Sequence, residues 1–165
     1  MDKALRVAVT EWLVFLKSYS LAALQYKPQP AQWSIGQLYL HLIGDTTFYL
    51  DQAAACFEDA AHINESCNEF AQKILSDNAF PDIQIEGHPN NQFIPQPGSK
   101  QVLQNELEAI GRRARMLAER YATHPIEGKS LHPGFGYLSL PQWLQLAALH
   151  FNHHLRQKQR LDALL

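Results

Sequence analysis

Three histidines lie close together near the C-terminus: His150, His153 and His154, in a chain that contains eight histidines. Apolar residues around them recur at helical spacing, about 100° per residue, which puts His150 and His154 on the buried face of one helix and turns His153 toward its edge. Two imidazoles at positions i and i+4 project to the same side and can share a metal ion. The alternative is a pair of core histidines that hydrogen-bond to their neighbours. The metal hypothesis therefore needs a third ligand from elsewhere in the chain.

A second pair of polar residues, His41 and Asp45, lies on an earlier predicted helix. This helix begins at Ser34, because Ser34 and Gln37 form the pattern of a capping box. His41 and Asp45 fall one turn apart beside its apolar stripe, where a buried polar group must find a partner. They could pair with each other or with water, which this helix alone favours. In the functional interpretation His41 is a metal ligand, and Asp45 orients it or moves a proton.

Composition and charge exclude several other functions. The chain has 165 residues, 46% of them hydrophobic, and a formal net charge of −2, which does not favour a nucleic-acid partner. The two cysteines, Cys56 and Cys67, form no CxxC pair, so neither a thiolate zinc site nor a redox pair is indicated. No signal peptide and no apolar run long enough to cross a bilayer is evident. We expect a cytoplasmic protein with no membrane partner.

The hydrophobic pattern predicts one all-α domain over residues 1–165. Amphipathic segments predict long helices at residues 2–24, 34–61, 99–123 and 139–163, with a short helix at 64–76. A long connection at residues 77–98, rich in proline and glycine, crosses from the second long helix to the third, with 82–85 extended. We expect part of it to border the site. Residues 131–138 form a glycine-containing loop before the last helix, and four long helices with one crossover favour a four-helix bundle.

Two segments resemble the DinB/YfiT-like family of predicted metalloenzymes. The first is Trp33-Ser34-Ile35-Gly36-Gln37-Leu38-Tyr39-Leu40-His41-Leu42, and the second is His150-Phe151-Asn152-His153-His154-Leu155-Arg156-Gln157. The stretch His132-Pro133-Gly134-Phe135-Gly136-Tyr137-Leu138 is similar to a subgroup of that superfamily with no assigned function. The resemblance does not extend to residues 62–99.

The resemblance implies an up-down bundle with a three-histidine metal site. By position, His41, His150 and His154 match the family's ligands, while His153 matches a position that does not normally bind metal. Family members include thiol S-transferases and a glutathione-dependent isomerase. The resemblance thus predicts a metal-dependent transferase or hydrolase of small molecules, with a low-molecular-weight thiol as candidate substrate, and allows a homodimer.

Three imidazoles and an open fourth position are typical of a catalytic zinc site, although nickel also fits such ligands. Asp45 is the candidate catalytic residue, and Gln157 lies where it could orient His154. Because binding needs neutral imidazoles, we expect metal occupancy to fall as the pH drops through about 6.5. The competing hypothesis is a metal-free helical bundle that binds a small ligand or dimerises without catalysis.

Overall fold

A computed structural model describes residues 1–58, 60–81 and 93–165, and nearly all of its regular structure is helical. The order of elements is α1 (Lys3–Lys17), α2 (Leu21–Gln25), α3 (Ile35–Ala55), α4 (Glu69–Asp77), α5 (Lys100–Thr123), β1 (Lys129–His132), β2 (Gly136–Ser139), α6 (Leu140–His153) and α7 (Leu155–Asp162). Helices occur in all four regions predicted to hold long ones. The all-α prediction is incomplete, because β1 and β2 form a small antiparallel sheet.

The four longest helices enclose the core. Helix α1 packs against α5 and α6, and α3 packs against the same two helices. Their shared interior is closed by large aromatic side chains that are fully buried, among them Trp12, Tyr39, Trp143 and Phe151. Within the described ranges no helix combines the length and the apolar character needed to cross a bilayer.

Two predicted helices are each divided in the structure. Residues 2–24 form α1 and α2, because Ser18 Oγ donates to Phe15 O at 2.7 Å and Ser20 Oγ accepts from the backbone N–H of Ala23 at 3.1 Å. Serine side chains that bond the nearby backbone in this way compete with helix continuation. Residues 139–163 form α6 and α7, which meet at His154.

Two other predicted helices have wrong boundaries, both beside the hairpin. Helix α3 ends at Ala55 rather than at residue 61, and the next residue, Cys56, is buried 3.5 Å from Leu138 O. The short helix begins at Glu69, not at residue 64, because Ser66 O accepts from the backbone N–H of Tyr137 and holds this segment along β2. Both errors have one cause, since the sheet occupies the space into which the helices would have extended.

The loop predicted at residues 131–138 is the β1–β2 hairpin, paired His132 to Gly136 and Leu131 to Tyr137. Gly136 has a φ of +82°, and a Cβ at this position would lie 3.0 Å from Ser66 O. A residue with a side chain would resist both the backbone angle and the close approach. The glycines identified in the sequence therefore form a turn of defined geometry that presents His132 at its edge.

Part of the predicted crossover, residues 94–97, lies across the N-terminal end of α3. Gln37 Nε2 donates to Ile94 O at 2.6 Å, Ser34 Oγ donates to the Gln96 side chain at 2.8 Å, and Gln25 Nε2 donates to Pro97 O at 2.8 Å. We refer to residues 94–97 as the strap. The predicted extended segment 82–85 lies outside the described residues, so that prediction stays open.

Gly36 is the position at which the strap touches α3 most closely. A Cβ there would lie 2.4 Å from Pro97 Cγ and 2.6 Å from Leu24 O, so the backbone would have to move. We expect Gly36→Ala to lower the free energy of unfolding by about 1–3 kcal/mol, the usual cost of overpacking. The matched control is Gly44→Ala in the same helix, where a Cβ meets nothing within 4 Å. That variant should gain up to about 1 kcal/mol from helix propensity. Urea denaturation measures both, and equal midpoints would contradict the role assigned to Gly36.

Candidate metal centre

Helix α3 contributes His41, and its start is well defined. Ser34 Oγ accepts from the backbone N–H of Gln37 at 3.1 Å, and Gln37 Oε1 accepts from the backbone N–H of Ser34 at 3.1 Å. This is the capping box predicted from the sequence. Two turns into the helix, His41 is 6% exposed, and its ring lies 5.0 Å from that of Trp33.

Helix α6 contributes His150, and His154 stands at the junction of α6 and α7. The Nε2 atoms of the three imidazoles converge. His41 Nε2 lies 3.1 Å from both His150 Nε2 and His154 Nε2, and the latter two are 3.0 Å apart. Three nitrogens bound to one tetrahedral ion at about 2.0–2.1 Å would be a little over 3 Å apart. The spacing of this triangle, which we call the histidine triad, therefore fits a single shared cation.

The protonation of the triad supports the same conclusion. Gln157 Oε1 lies 2.8 Å from His154 Nδ1. An amide oxygen can only accept, so His154 Nδ1 carries the proton and His154 Nε2 presents a lone pair to the other two rings. Each neutral imidazole has a single N–H. The three contacts between Nε2 atoms therefore cannot all be hydrogen bonds with one donor and one acceptor. A cation satisfies all three nitrogens at once, and the triad can thus hold a metal ion.

Burial keeps these imidazoles neutral. Desolvation, reinforced by charge on His154, lowers the pKa of His41 to about 3. Desolvation also lowers the pKa of His154 to about 4, against the opposing hydrogen bond to Gln157, and holds the pKa of His150 well below its usual range. The neutral imidazole is the form that binds metal. Proton competition should therefore begin at a lower pH than the value near 6.5 expected from an unperturbed histidine.

Two buried nitrogens on the outer side of the triad lack a hydrogen-bond partner in the described parts of the chain: His41 Nδ1 and His150 Nδ1. Asp45 Oδ1 lies 3.7 Å from His41 Nδ1, which is ion-pair range but too long for a hydrogen bond. Leaving a buried polar atom without a partner costs about 1–3 kcal/mol. Both Nδ1 atoms carry this cost, and Asp45 is the charged group nearest to the one on His41.

The other carboxylate oxygen of Asp45 points toward the inner face of the triad. Asp45 Oδ2 lies 3.7 Å from His150 Nε2, and the Asp45 side chain is 38% exposed. Asp45 thus stands between solvent and the converging nitrogens. Asp45 therefore lies within ion-pair distance of two members of the triad, His41 and His150.

The third histidine of the C-terminal region, His153, points elsewhere. Its ring lies 5.1 Å from Phe80 and 5.1 Å from the ring of His154, and it is not part of the close group of ligand atoms found among the described residues. Phe80 belongs to the predicted crossover, and its contact is with His153 rather than with the triad, so the prediction that this segment borders the site stays open. Residues 82–92 of the same segment lie outside the described residues.

Sequence reasoning missed the aromatic surroundings of the triad. The ring of Tyr49 lies 5.7 Å from that of His150, and Tyr49 in turn neighbours Trp143 and His132 at 5.6 and 5.9 Å. The stretch from His132 to Leu138 had been singled out for its glycines. Its histidine could have been recognised as a site residue only by knowing that a hairpin folds it back over α3 and α6.

Comparison with protein-family models gives a match to the DinB superfamily that covers residues 4–157. Comparisons with curated proteins and with solved structures gave no match. The matched residues cover nearly all of α1, the whole of α2 to α6 and the first turn of α7, and they include His41, Asp45, His150, His154 and Gln157.

Proposed function

We propose that this chain, which belongs to the DinB superfamily, is a metal-dependent enzyme whose histidine triad holds one divalent ion, with zinc and nickel the candidates. The packing of α1, α3, α5 and α6 is proposed to be the up-down four-helix bundle of that family. The observation that carries the metal proposal is the triangle of Nε2 atoms 3.0–3.1 Å apart. Three histidines leave a further coordination position open, which is the arrangement of catalytic rather than structural zinc sites.

A divalent ion in the triad would supply Lewis acidity, which lowers the pKa of a bound thiol or water and polarises a carbonyl. The chain's own residues would do the rest. Gln157 holds His154 in the tautomer that presents Nε2, through the 2.8 Å contact to His154 Nδ1. Asp45, at 3.7 Å from His150 Nε2, would accept a proton at Oδ2 from the substrate.

The proposed substrate is a small molecule, and the reaction is a transfer or hydrolysis in which a low-molecular-weight thiol is one candidate reactant. The aromatic rings around the triad exclude water from one side and so strengthen the electrostatic effect of a bound ion. Trp33 covers His41 and Tyr49 covers His150, at ring distances of 5.0 and 5.7 Å. Whether a thiol binds the ion separates thiol transfer from hydrolysis.

Protein purified without a histidine tag should contain about one equivalent of zinc or nickel per chain by elemental analysis. After exchange for cobalt, addition of glutathione should produce a thiolate-to-cobalt absorption band if the substrate is a thiol. S-methylglutathione, which has no free thiol, is the matched control and should produce none. A cobalt protein without the band would favour hydrolysis. Protein that neither retains metal nor binds zinc or nickel on dialysis would overturn the proposal in favour of a metal-free binding or dimerising bundle.

A further inference from the structure

His132 packs against four aromatic rings, those of Phe48, Tyr49, Phe135 and Trp143, and Tyr49 also contacts the triad. It stacks on Phe135 with ring centroids 4.3 Å apart and planes inclined by 13°, and it lies 5.4 Å from Trp143 and 5.9 Å from Tyr49. The ring is half-buried at the edge of the β1–β2 hairpin. Its position is therefore set by the fold and not by a flexible loop.

The proton of His132 is assigned by one hydrogen bond. The backbone N–H of Gly134 donates to His132 Nδ1 at 3.1 Å. Burial lowers the pKa of His132 to about 4, so the ring is neutral at pH 7. A neutral imidazole that accepts at Nδ1 carries its proton on Nε2. His132 thus presents an Nε2–H donor, and in the described ranges no residue accepts from it.

A single aromatic ring separates this donor from the triad. Tyr49 is in edge contact with the ring of His150 on one side and lies beside the ring of His132 on the other, at 5.7 and 5.9 Å. His132 is too remote to join the three converging nitrogens, and it does not belong to their group. Its contact with Tyr49, which also contacts His150, leaves His132 one ring away from the triad, within reach of an elongated small molecule bound there.

We propose that His132 is a substrate-binding residue, whose Nε2–H donates to a carbonyl or carboxylate oxygen at the end of the substrate farther from the triad. This inference rests on the proposed function, since it assigns the near end of the substrate to the metal. It also specifies the substrate class: a small molecule that carries a hydrogen-bond acceptor several bonds away from its metal-binding group.

Two substitutions test the ring nitrogens of His132 one at a time. The inner nitrogen is Nδ1, which accepts from the Gly134 N–H, and the outer nitrogen is Nε2, which carries the proposed donor. An asparagine amide reaches about as far as Nδ1, so His132→Asn keeps an acceptor for the Gly134 N–H and loses the outer donor. A glutamine amide reaches about as far as Nε2, so His132→Gln keeps the outer donor and loses the inner acceptor. If His132 serves only the hairpin, His132→Asn should be the milder change. If it serves a ligand, His132→Gln should be the milder change for binding.

The experiment uses the full chain loaded with cobalt and titrated with hydroxamates, followed by visible absorption. Acetohydroxamate is the short probe, and the long probes carry two to five methylene groups that end in either a methyl group or a carboxamide. For at least one of these probe lengths, the carboxamide-ended probe should bind about 2- to 10-fold tighter than the methyl-ended probe of the same length. This gain is the contribution expected of one hydrogen bond. His132→Gln should keep this gain, and His132→Asn should lose it while binding acetohydroxamate normally.

Two results would overturn the inference while leaving the proposed function intact. One is a cobalt-loaded protein in which no carboxamide gains over its methyl-ended match. The other is a gain that persists undiminished in His132→Asn. Nitrogen-15 spectra of the metal-free protein give an independent reading, because a proton found on Nδ1 of His132 at pH 7 would also exclude the donor. Failure to bind cobalt at all would instead overturn the proposed function, and this inference with it.

Discussion

Replacing any one residue of the histidine triad by alanine should weaken metal binding by more than about 100-fold, whereas His153→Ala should bind metal as the native chain does. The reason is geometric, since among the described histidines only His41, His150 and His154 direct Nε2 atoms to a common point. The threshold exceeds the 10- to 100-fold loss that accompanies removal of an outer hydrogen-bond partner. Competition titration with a chromophoric chelator measures these affinities for zinc and nickel.

Gln157→Leu provides the intermediate case for the same titration. This variant keeps all three imidazoles but removes the acceptor 2.8 Å from His154 Nδ1, so a loss of about 10- to 100-fold is expected. A graded series of this kind is hard to explain by unfolding, provided that circular dichroism shows the variants equally helical. If all four histidine variants bind metal equally, the triad is not the binding site.

The metal-free protein should lose stability steeply as the pH falls below about 6.5, the pKa of an unfolded histidine. Burial lowers the pKa of His41 to about 3 and that of His154 to about 4, and it holds the pKa of His150 well below its usual range. Between about pH 6.5 and 4, these three imidazoles therefore bind protons in the unfolded chain but not in the folded chain. This contribution to stability is fully present above pH 6.5 and is lost progressively toward pH 4.

Each such histidine contributes about 1.4 kcal/mol per pH unit within that window. Near pH 5, three such histidines together can therefore lower the free energy of unfolding by an amount comparable to the ~5–15 kcal/mol that stabilises a whole domain. Urea unfolding of chelator-treated protein between pH 7.5 and 5 measures the slope. His150→Phe should reduce it by one histidine's share, whereas His124→Gln, at the exposed end of α5, should leave it unchanged. A stability independent of pH would show that the triad is not buried in its neutral form.

Much of the helical framework could be predicted because its signals are local. The capping residue Ser34 and the stripes of apolar residues act within a turn or two of the helices they define. The convergence of His41 with His150 and His154 could be anticipated from the combination of helix faces with a family resemblance. The spacing of the histidines alone did not distinguish metal ligands from core histidines that hydrogen-bond to their neighbours, on either helix.

The parts that sequence reasoning missed depend on contacts between distant segments. The hairpin, which the sequence presents as a glycine-containing loop, is bordered by Ser66 along one edge and packs over Cys56 at the end of α3. No pattern within residues 129–139 specifies those neighbours. The ends of α3 and α4 were misjudged for the same reason, and so was the position of His132.

His41 is separated from His150 by 109 residues of chain and from His154 by 113. During synthesis, His41 emerges long before its partners exist, and any fragment that stops short of α6 contains one imidazole of the three. Metal bound by the triad stabilises only a chain whose distant parts have already met. Under the proposed function, metal content would report how much of a preparation has completed folding. A cell short of the ion would then lose folded protein as well as activity, because the ion would tie α3 to the last two helices.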